Sequence, residues 1–252
     1  MRVLSLGWGV QSFTLAAMIA LGELPPVDAV IHSDTKFESI LTYRFAEMWT
    51  SWLEYYGVRV VTVRDENNKV VTDRVGGKIF IPAFTNTPSS KGGQLRRQCT
   101  QRWKIAPLRR WLQKNRNGER VDMLIGISTD EWRRMRDSNV KYISNVYPLV
   151  DLGISRKDCK IWLGNHYLEE PPKSACTFCP YHSTSEWMRI KQTPEDYKEA
   201  INLDNRIRKV RPPYDLFIHP SRRPLEEIDF RTPEEQGQMS LWDNECSGIC
   251  GV

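Results

Sequence analysis

The chain has 252 residues, with 36 Lys and Arg against 31 Asp and Glu and a formal net charge of +5. That length accommodates one large core, or an α/β domain with an appendage, and the positive balance suits a polyanionic ligand or partner. No apolar run approaches membrane-spanning length, and no early stretch has the charged, apolar, then small pattern of a secretion signal. A cytoplasmic protein without membrane contact is therefore expected, in which six cysteines point to metal, cluster or redox work rather than a disulfide framework.

Residues 2–6 are an apolar run, predicted as a buried strand, and the Gly-rich turn Gly7-Trp8-Gly9 follows it. A helix is expected over 11–22, with Phe13, Leu15, Ala16, Met18 and Ile19 on its inner side. A second strand over 27–32 ends at Ser33-Asp34-Thr35. Residues 39–56 place Tyr43, Phe45, Trp49, Trp52 and Tyr56 at helical spacing, with Gly57 as C-cap, and 58–63 is a third strand. Residues 64–98 are polar and punctuated by Gly and Pro, with a weak strand at 78–81; they form a surface insertion or a substrate lid. Next come a helix from about 100 to 115, a strand over 121–126 and a helix over 156–167 capped by Ser155. A Cys-containing turn at 176–180 precedes helices near 184–191 and 194–209, the latter with Thr193 as N-cap and Pro194 at its first position. From Arg211 onward the periodicity disappears.

Strands alternating with helices predict an α/β fold: an open, mainly parallel twisted sheet with helices on both faces, binding ligands beyond the strand carboxyl ends. A nucleotide-binding part is expected over 1–150, and a helical, Cys-containing extension over 151–252.

Four segments carry chemistry. In Gly7-Trp8-Gly9-Val10-Gln11-Ser12 the glycines let backbone N–H groups turn toward a phosphate, the helix start adds its positive end, and Ser12 adds a hydroxyl. Neither a Walker loop nor a dinucleotide fingerprint is present, since no Lys precedes Ser12 and Ser12 stands at the third glycine position. Asp34, at the end of the second strand, suits a ribose or a metal-bound phosphate; its alternative is an ordinary helix cap. Residues 96–110 gather five Arg and one Lys around Cys99, able to neutralise a triphosphate or a nucleic-acid backbone, or else forming a solvated face. After the strand at 121–126, Gly126 would admit an adenine, and Asp130 or Glu131 would hold Mg²⁺ on the phosphates; otherwise they are an exposed acidic helix start. Cys176-Thr177-Phe178-Cys179-Pro180 presents two thiols to one metal or cluster, or forms a redox pair.

The first loop resembles the S-G-G-x-D-S pyrophosphate loop of the ATP pyrophosphatases, with Gly7, Trp8 and Gln11 standing for Ser, Gly and Asp. The C-x4-K-x2-P-L spacing of Cys99, Lys104, Pro107 and Leu108 is similar to a segment of the adenylyl-sulfate and phosphoadenylyl-sulfate reductases. So is Gly126 to Arg134, with Ser128 where that family often has Arg. The four motifs occur in that family's order over about residues 5–180. The Ser5-Leu6-Gly7 to Ser12 loop and the tail from Asp243 to Val252 match short stand-alone members.

The resemblance implies an adenine-nucleotide α-hydrolase-like fold and an enzyme of the ATP pyrophosphatase class. It would bind ATP and Mg²⁺ through Ser5, Gly7, Gly9, Gln11, Ser12, Asp34, Gly126, Asp130 and Arg134. Catalytic roles would fall to Asp34, Lys104, Asp130 and Cys99. Cys99, Cys176 and Cys179 would hold an iron–sulfur cluster, with Cys159, Cys246, Cys250 or no residue as fourth ligand. Zinc with His182, or metal-free thiol chemistry, are the competing readings. The implied activity adenylylates an acceptor and transfers sulfur to it. The expected donor is a cysteine desulfurase, and the acceptor DNA (phosphorothioate modification) or tRNA. A reductase of adenylyl sulfate or its 3′-phosphorylated form is the alternative, and a cluster- or zinc-bearing nucleic-acid-binding module is a second. Arg109 and Arg110 lie outside the match, so reversing both charges is expected to weaken nucleic-acid binding and spare the nucleotide.

Overall fold

A computed structural model describes residues 1–66, 69–71, 77–86 and 92–231. Seven strands are present among them: β1 (Arg2–Leu6), β2 (Ala29–Asp34), β3 (Val60–Arg64), β4 (Phe84–Asn86), β5 (Val121–Ile125), β6 (Ile143–Val146) and β7 (Asp215–Phe217). The helices are α1 (Val10–Ala20), α2 (Ile40–Tyr55), α3 (Ala106–Asn115), α4 (Pro148–Asp151), α5 (Arg156–Asn165), α6 (Thr184–Lys191) and α7 (Pro194–Ile207).

Five strands form one sheet in the order β3-β2-β1-β5-β6, with every neighbouring pair parallel. This is the expected α/β architecture. Both faces are covered, so the strands are apolar on both sides. Leu4, Leu6, Val30 and Leu124 pack with residues of α1, α2, α4 and α5. Val3, Ala29, Ile31, Val121, Met123 and Ile143 pack on the other face against Leu112 and Leu108 of α3. Strand order reverses between β1 and β5, so the crevice beyond their carboxyl ends is where such a sheet takes a ligand.

A third core joins Val70, Val71, Ile79, Ile81 and Trp103 to Phe178, Trp187, Leu203 and Ile218. Two of the cores draw residues from both sides of position 150. Helix α5 packs on α1, and Val70, Val71, Ile79, Phe80, Ile81 and Ala83 share a core with residues of α6 and α7. Residues 78–81 contribute one isolated bridge, from Ile79 to Val71, and the strand of this region is β4, paired antiparallel with β7. Both strands have three residues, too short to register as a period. Asp204, on the buried side of α7, organises the segment where periodicity fails. It accepts the N–H groups of Ile218 at 2.9 Å and Leu225 at 3.1 Å and pairs with Arg208.

The helix expected over 100–115 begins as a wide π-type turn over Thr100–Ile105 before α3, and Lys104 projects from that turn. Ser155 caps α5 as expected, in a capping box with Asp158. Thr193 precedes α7 without a side-chain cap bond, and Pro194 occupies the first turn. No helix among the described residues is long and apolar enough to cross a membrane. Cys246 and Cys250 lie outside the described residues.

Candidate functional site

The loop after β1 turns at a residue the glycine pattern did not single out. Trp8 carries the positive φ, 53°, in a region that non-glycine residues rarely occupy. Its indole is buried against Phe13, His32 and Phe45, with ring centroids 6.2 Å away in each case, and that packing offsets the backbone strain. Ser12 is part of the loop's own scaffold. Its hydroxyl accepts from Gly7 N–H at 3.1 Å and donates to the Gly9 carbonyl at 3.2 Å. Helix α1 then begins with the N–H groups of its first turn lacking carbonyl partners within the helix. Gly126 lies directly across from that turn. A Cβ on it would sit 2.7 Å from the Ser12 nitrogen and 2.8 Å from its Cα. The glycine is thus required by the approach of β5 to α1, whatever else it contacts.

A cleft of about 320 Å³ opens over this loop, lined by Gly7, Gly9, Gln11 and Ser12 and by four cations, Lys104, Arg134, Arg156 and Lys173. Beside it, a second cleft of about 290 Å³ runs from Ser5 and Gly7 along Leu6, Ile105, Leu108, Met123 and Ile125, with Arg109, Asp137 and Asn139 at its rim. A third cavity of about 140 Å³ contains Cys99, Cys176 and Cys179 between the buried rings of Trp103 and Phe178. Gly7 borders the first two, Ser174 the first and third, and among the described residues Lys104 alone lines all three.

Lys104 is held there by a carboxylate that the sequence reading did not pick out. Glu38 is buried and takes the Lys104 ammonium at 3.2 Å, the Thr35 hydroxyl at 3.3 Å and the Ser174 hydroxyl at 3.4 Å. Burial is the largest single influence on the Lys104 pKa and would lower it, but the Glu38 charge and hydrogen bond together with the nearby Cys176 and Cys99 outweigh it, and the net shift is upward. The Thr35 hydroxyl also lies 3.4 Å from the Cys176 sulfur, so Glu38 and Lys104 adjoin the cysteine cavity. Glu38 follows the strand end by four residues in an unremarkable polar stretch; its significance arises from the turn that returns it over the sheet.

The expected acidic residues fall elsewhere. Asp34 lines none of the three cavities; it accepts Lys36 N–H at 2.7 Å and the Tyr43 hydroxyl at 2.8 Å, and faces Arg64 at 3.4 Å. It fixes the turn after β2. Asp130 is exposed and accepts the Arg156 N–H at 2.9 Å, which anchors the start of α5. Hydrogen bonds from Ser128 and Arg156 hold its carboxyl below the ordinary value. Glu131 does face the cleft, but both its oxygens are taken: Oε1 accepts Arg134 at 2.6 Å and Oε2 accepts the Gln11 amide at 3.2 Å. Gln11 also donates to Ser128 at 3.3 Å and accepts Arg156 Nη1 at 3.0 Å. Mg²⁺ is bound through one or two carboxylates plus phosphate oxygens. Among the described residues Glu131 is the one carboxylate lining this cleft, and an Mg²⁺ held there would have to compete with Arg134 and Gln11 for it.

The thiols divide similarly. Cys159 is buried in the core beneath α1, its pKa pushed up to about 11 by burial, and it lines none of the cavities. It is a core residue, not a fourth ligand. Burial likewise pushes the thiols of Cys176 and Cys179 up. His182, the rival zinc ligand, has its Nε2 at 2.8 Å from the Cys176 carbonyl and its Nδ1 at 3.5 Å from Glu186. Among the described residues no three His, Cys, Asp or Glu side chains converge closely enough to hold a single metal ion. Thiolates bound to a multi-iron cluster go to different irons and surround a cavity instead, and three soft sulfur donors around one cavity fit that group.

Burial lowers the His182 pKa from 6.5 to about 4. The unfolded chain takes up this proton near pH 6.5 and the folded chain well below it. Stability from the neutral ring is thus complete above pH 6.5 and falls by on the order of 2 kcal/mol as pH drops toward the folded value. Denaturant titrations at about pH 7 and about pH 4.5 are expected to show a smaller acid loss in His182→Asn than in the parent. An undiminished loss would rule His182 out as a source.

The cations of residues 96–110 are not one solvated face. Arg97 lines the cysteine cavity and stacks over Tyr181 at 5.6 Å, Arg102 lies over Phe80 at 4.1 Å, and Arg110 faces Asp65 at 3.7 Å. Arg109 borders the apolar cleft and donates to Asn139 at 2.8 Å. Arg109, five residues after Lys104, lines the same apolar cleft as Lys104, whereas Arg110 does not.

No protein-family profile matches the chain, and no curated protein matches it in sequence. Among solved structures it is similar to a phosphoadenylyl-sulfate reductase from Candida auris, solved as a phosphate complex. The identity is 10%, the TM-score 0.45, and the match covers 68% of this chain and 74% of that one.

Proposed function

We propose that the chain is an adenine-nucleotide enzyme of the ATP pyrophosphatase type that activates an acceptor for sulfur transfer, the acceptor being a nucleic acid. The observation that carries the reading is the junction at Lys104, where an apolar cleft sized for a nucleoside, a cationic cleft and a three-cysteine cavity meet. A nucleotide fits with its base along Leu6, Leu108 and Met123 and its phosphates over the start of α1.

In this reading an acceptor oxygen attacks the α-phosphorus and pyrophosphate departs toward Arg134, Arg156 and Lys173. Fixed cations aimed at the developing charge supply the stabilisation, and the rigid loop supplies the alignment. A sulfur nucleophile in the cysteine cavity then attacks the adenylylated centre, and AMP leaves with the original oxygen. Cys99, Cys176 and Cys179 would hold the cluster, which when bound would present sulfide or polarise it. The exposed Tyr181 and Arg97 at the cavity mouth suit a nucleic-acid acceptor, since a base can stack there and a phosphate can pair. A cysteine desulfurase is the matching donor.

The test is product analysis. The anaerobically prepared protein, given ATP, nucleic acid, a cysteine desulfurase, labelled cysteine and a dithiol as the two-electron reductant of the persulfide sulfur, is expected to release pyrophosphate and AMP and to label the nucleic acid. Sulfite release from a sulfonucleotide, with no pyrophosphate from ATP, would replace this reading with that of a reductase.

A further inference from the structure

The four cations of the phosphate cleft differ in what already neutralises them. Lys104 pairs with Glu38, Arg134 with Glu131, and Lys173 with Glu186. The Arg156 guanidinium instead donates to a neutral group, the Gln11 amide oxygen, at 3.0 Å. Gln11 is buried and works in two directions: its oxygen takes Arg156 while its NH₂ goes to Glu131 and Ser128. Neither Asp nor Glu could do both, because an ionised carboxylate only accepts. An amide here holds Arg156 over the cleft without spending its charge, and keeps Glu131 turned to Arg134. Burial, then the neighbouring charges of Arg156 and Arg189, also depress the Lys173 pKa, as expected where cations gather around one cleft.

Resting on the nucleotide reading above, we infer that the phosphates are neutralised here by Arg156 with Lys104, Arg134 and Lys173, and not through a divalent cation ligated by a carboxylate of the described residues. Arg156 is the principal phosphate ligand, and Gln11 is the positioning residue that aims it. The site accepts the free nucleotide tetra-anion within a few fold of its magnesium complex, because the four cations answer its extra negative charge without the metal ion. An Asp at position 11 would draw Arg156 into an ion pair and repel Glu131; Gln11 leaves both where the phosphates need them.

Calorimetric titration of the full-length protein with ATP, in EDTA and in millimolar magnesium, tests this without relying on turnover. The dissociation constant in EDTA is expected to be no more than about fivefold that in magnesium. Arg156→Gln is expected to raise it at least about tenfold in both buffers, the loss of a charge-assisted contact, with Arg156→Lys partly restoring it. Gln11→Glu, which turns the donor toward Glu131 into a second carboxylate, is expected to weaken the free nucleotide more than its magnesium complex. Circular dichroism identifies any variant that fails to fold, and in that case the parent's EDTA comparison still decides. A larger loss of affinity on chelation would overturn the inference, since it would mean that phosphates free Glu131 from Arg134 to ligate magnesium. Unchanged affinity in folded Arg156→Gln would also overturn it. Absence of ATP binding in both buffers would remove the nucleotide reading itself, a result distinct from a magnesium requirement.

Discussion

Lys104→Gln is expected to lower nucleotide turnover about a thousandfold, the scale for removing a fixed charge aimed at a developing one. No other described residue borders all three cavities, so its loss uncouples the phosphate cleft from the cysteine cavity as well. The same change leaves Glu38 buried without its cation. Folding stability should fall by about 2 kcal/mol, less than for a fully enclosed pair because the Lys104 side chain is 41% exposed. The double variant Lys104→Gln/Glu38→Gln separates the two effects. It should recover much of the stability, since no charge is stranded, while turnover stays at the level of the single variant. Recovery of turnover along with stability would mean that Lys104 serves the fold alone.

Gly126→Ala is expected to abolish nucleotide binding over at least about two orders of magnitude and to cost about 3 kcal/mol. Its added Cβ would lie 2.7 Å from the Ser12 nitrogen. The obstructing atoms are backbone and cannot rotate away. The first turn of α1 would have to shift, carrying Gln11 and, through it, Arg156 and Glu131. Gly9→Ala is the control on the same loop, since nothing lies within 4 Å of its would-be Cβ and its φ is −98°. That variant should bind within a few fold of the parent. Equal losses in both variants would show that the loop is sensitive to any substitution and that the β5–α1 approach is not the cause.

The sheet was legible because its strands are short apolar runs separated by amphipathic helices, and a parallel sheet covered on both faces requires that pattern. Ser155, Gly57 and Pro194 marked their helix boundaries for the same local reason: caps and breakers act on the nearest turn. Likewise the first loop, Lys104, Gly126, Arg134 and the C-x2-C turn could be picked out, since each sits at or beside a strand or helix terminus. The acidic assignments were not recoverable this way. Asp34, Asp130 and Glu131 all stand beyond strand ends, where spacing favours a metal or ribose role for each. What each does depends on which donors the fold delivers to it: Tyr43 to the first, Arg156 to the second, Gln11 and Arg134 to the third.

Sequence alone determined the class of fold, the edge of the sheet over which the clefts open, and the residues of the loop and of the Cys turn. These are properties of short windows, in which periodicity, caps and spacing are set by neighbours a few positions away. Tertiary structure alone decided that Glu38 holds Lys104 across 66 positions, and that Arg156 reaches Gln11 across 145. It also decided that Cys99 shares a cavity with Cys176 and Cys179 while Cys159 is enclosed in another core. Such pairings depend on the burial of charges and thiols far apart in the chain, and a buried charge is stable only where packing brings it a partner.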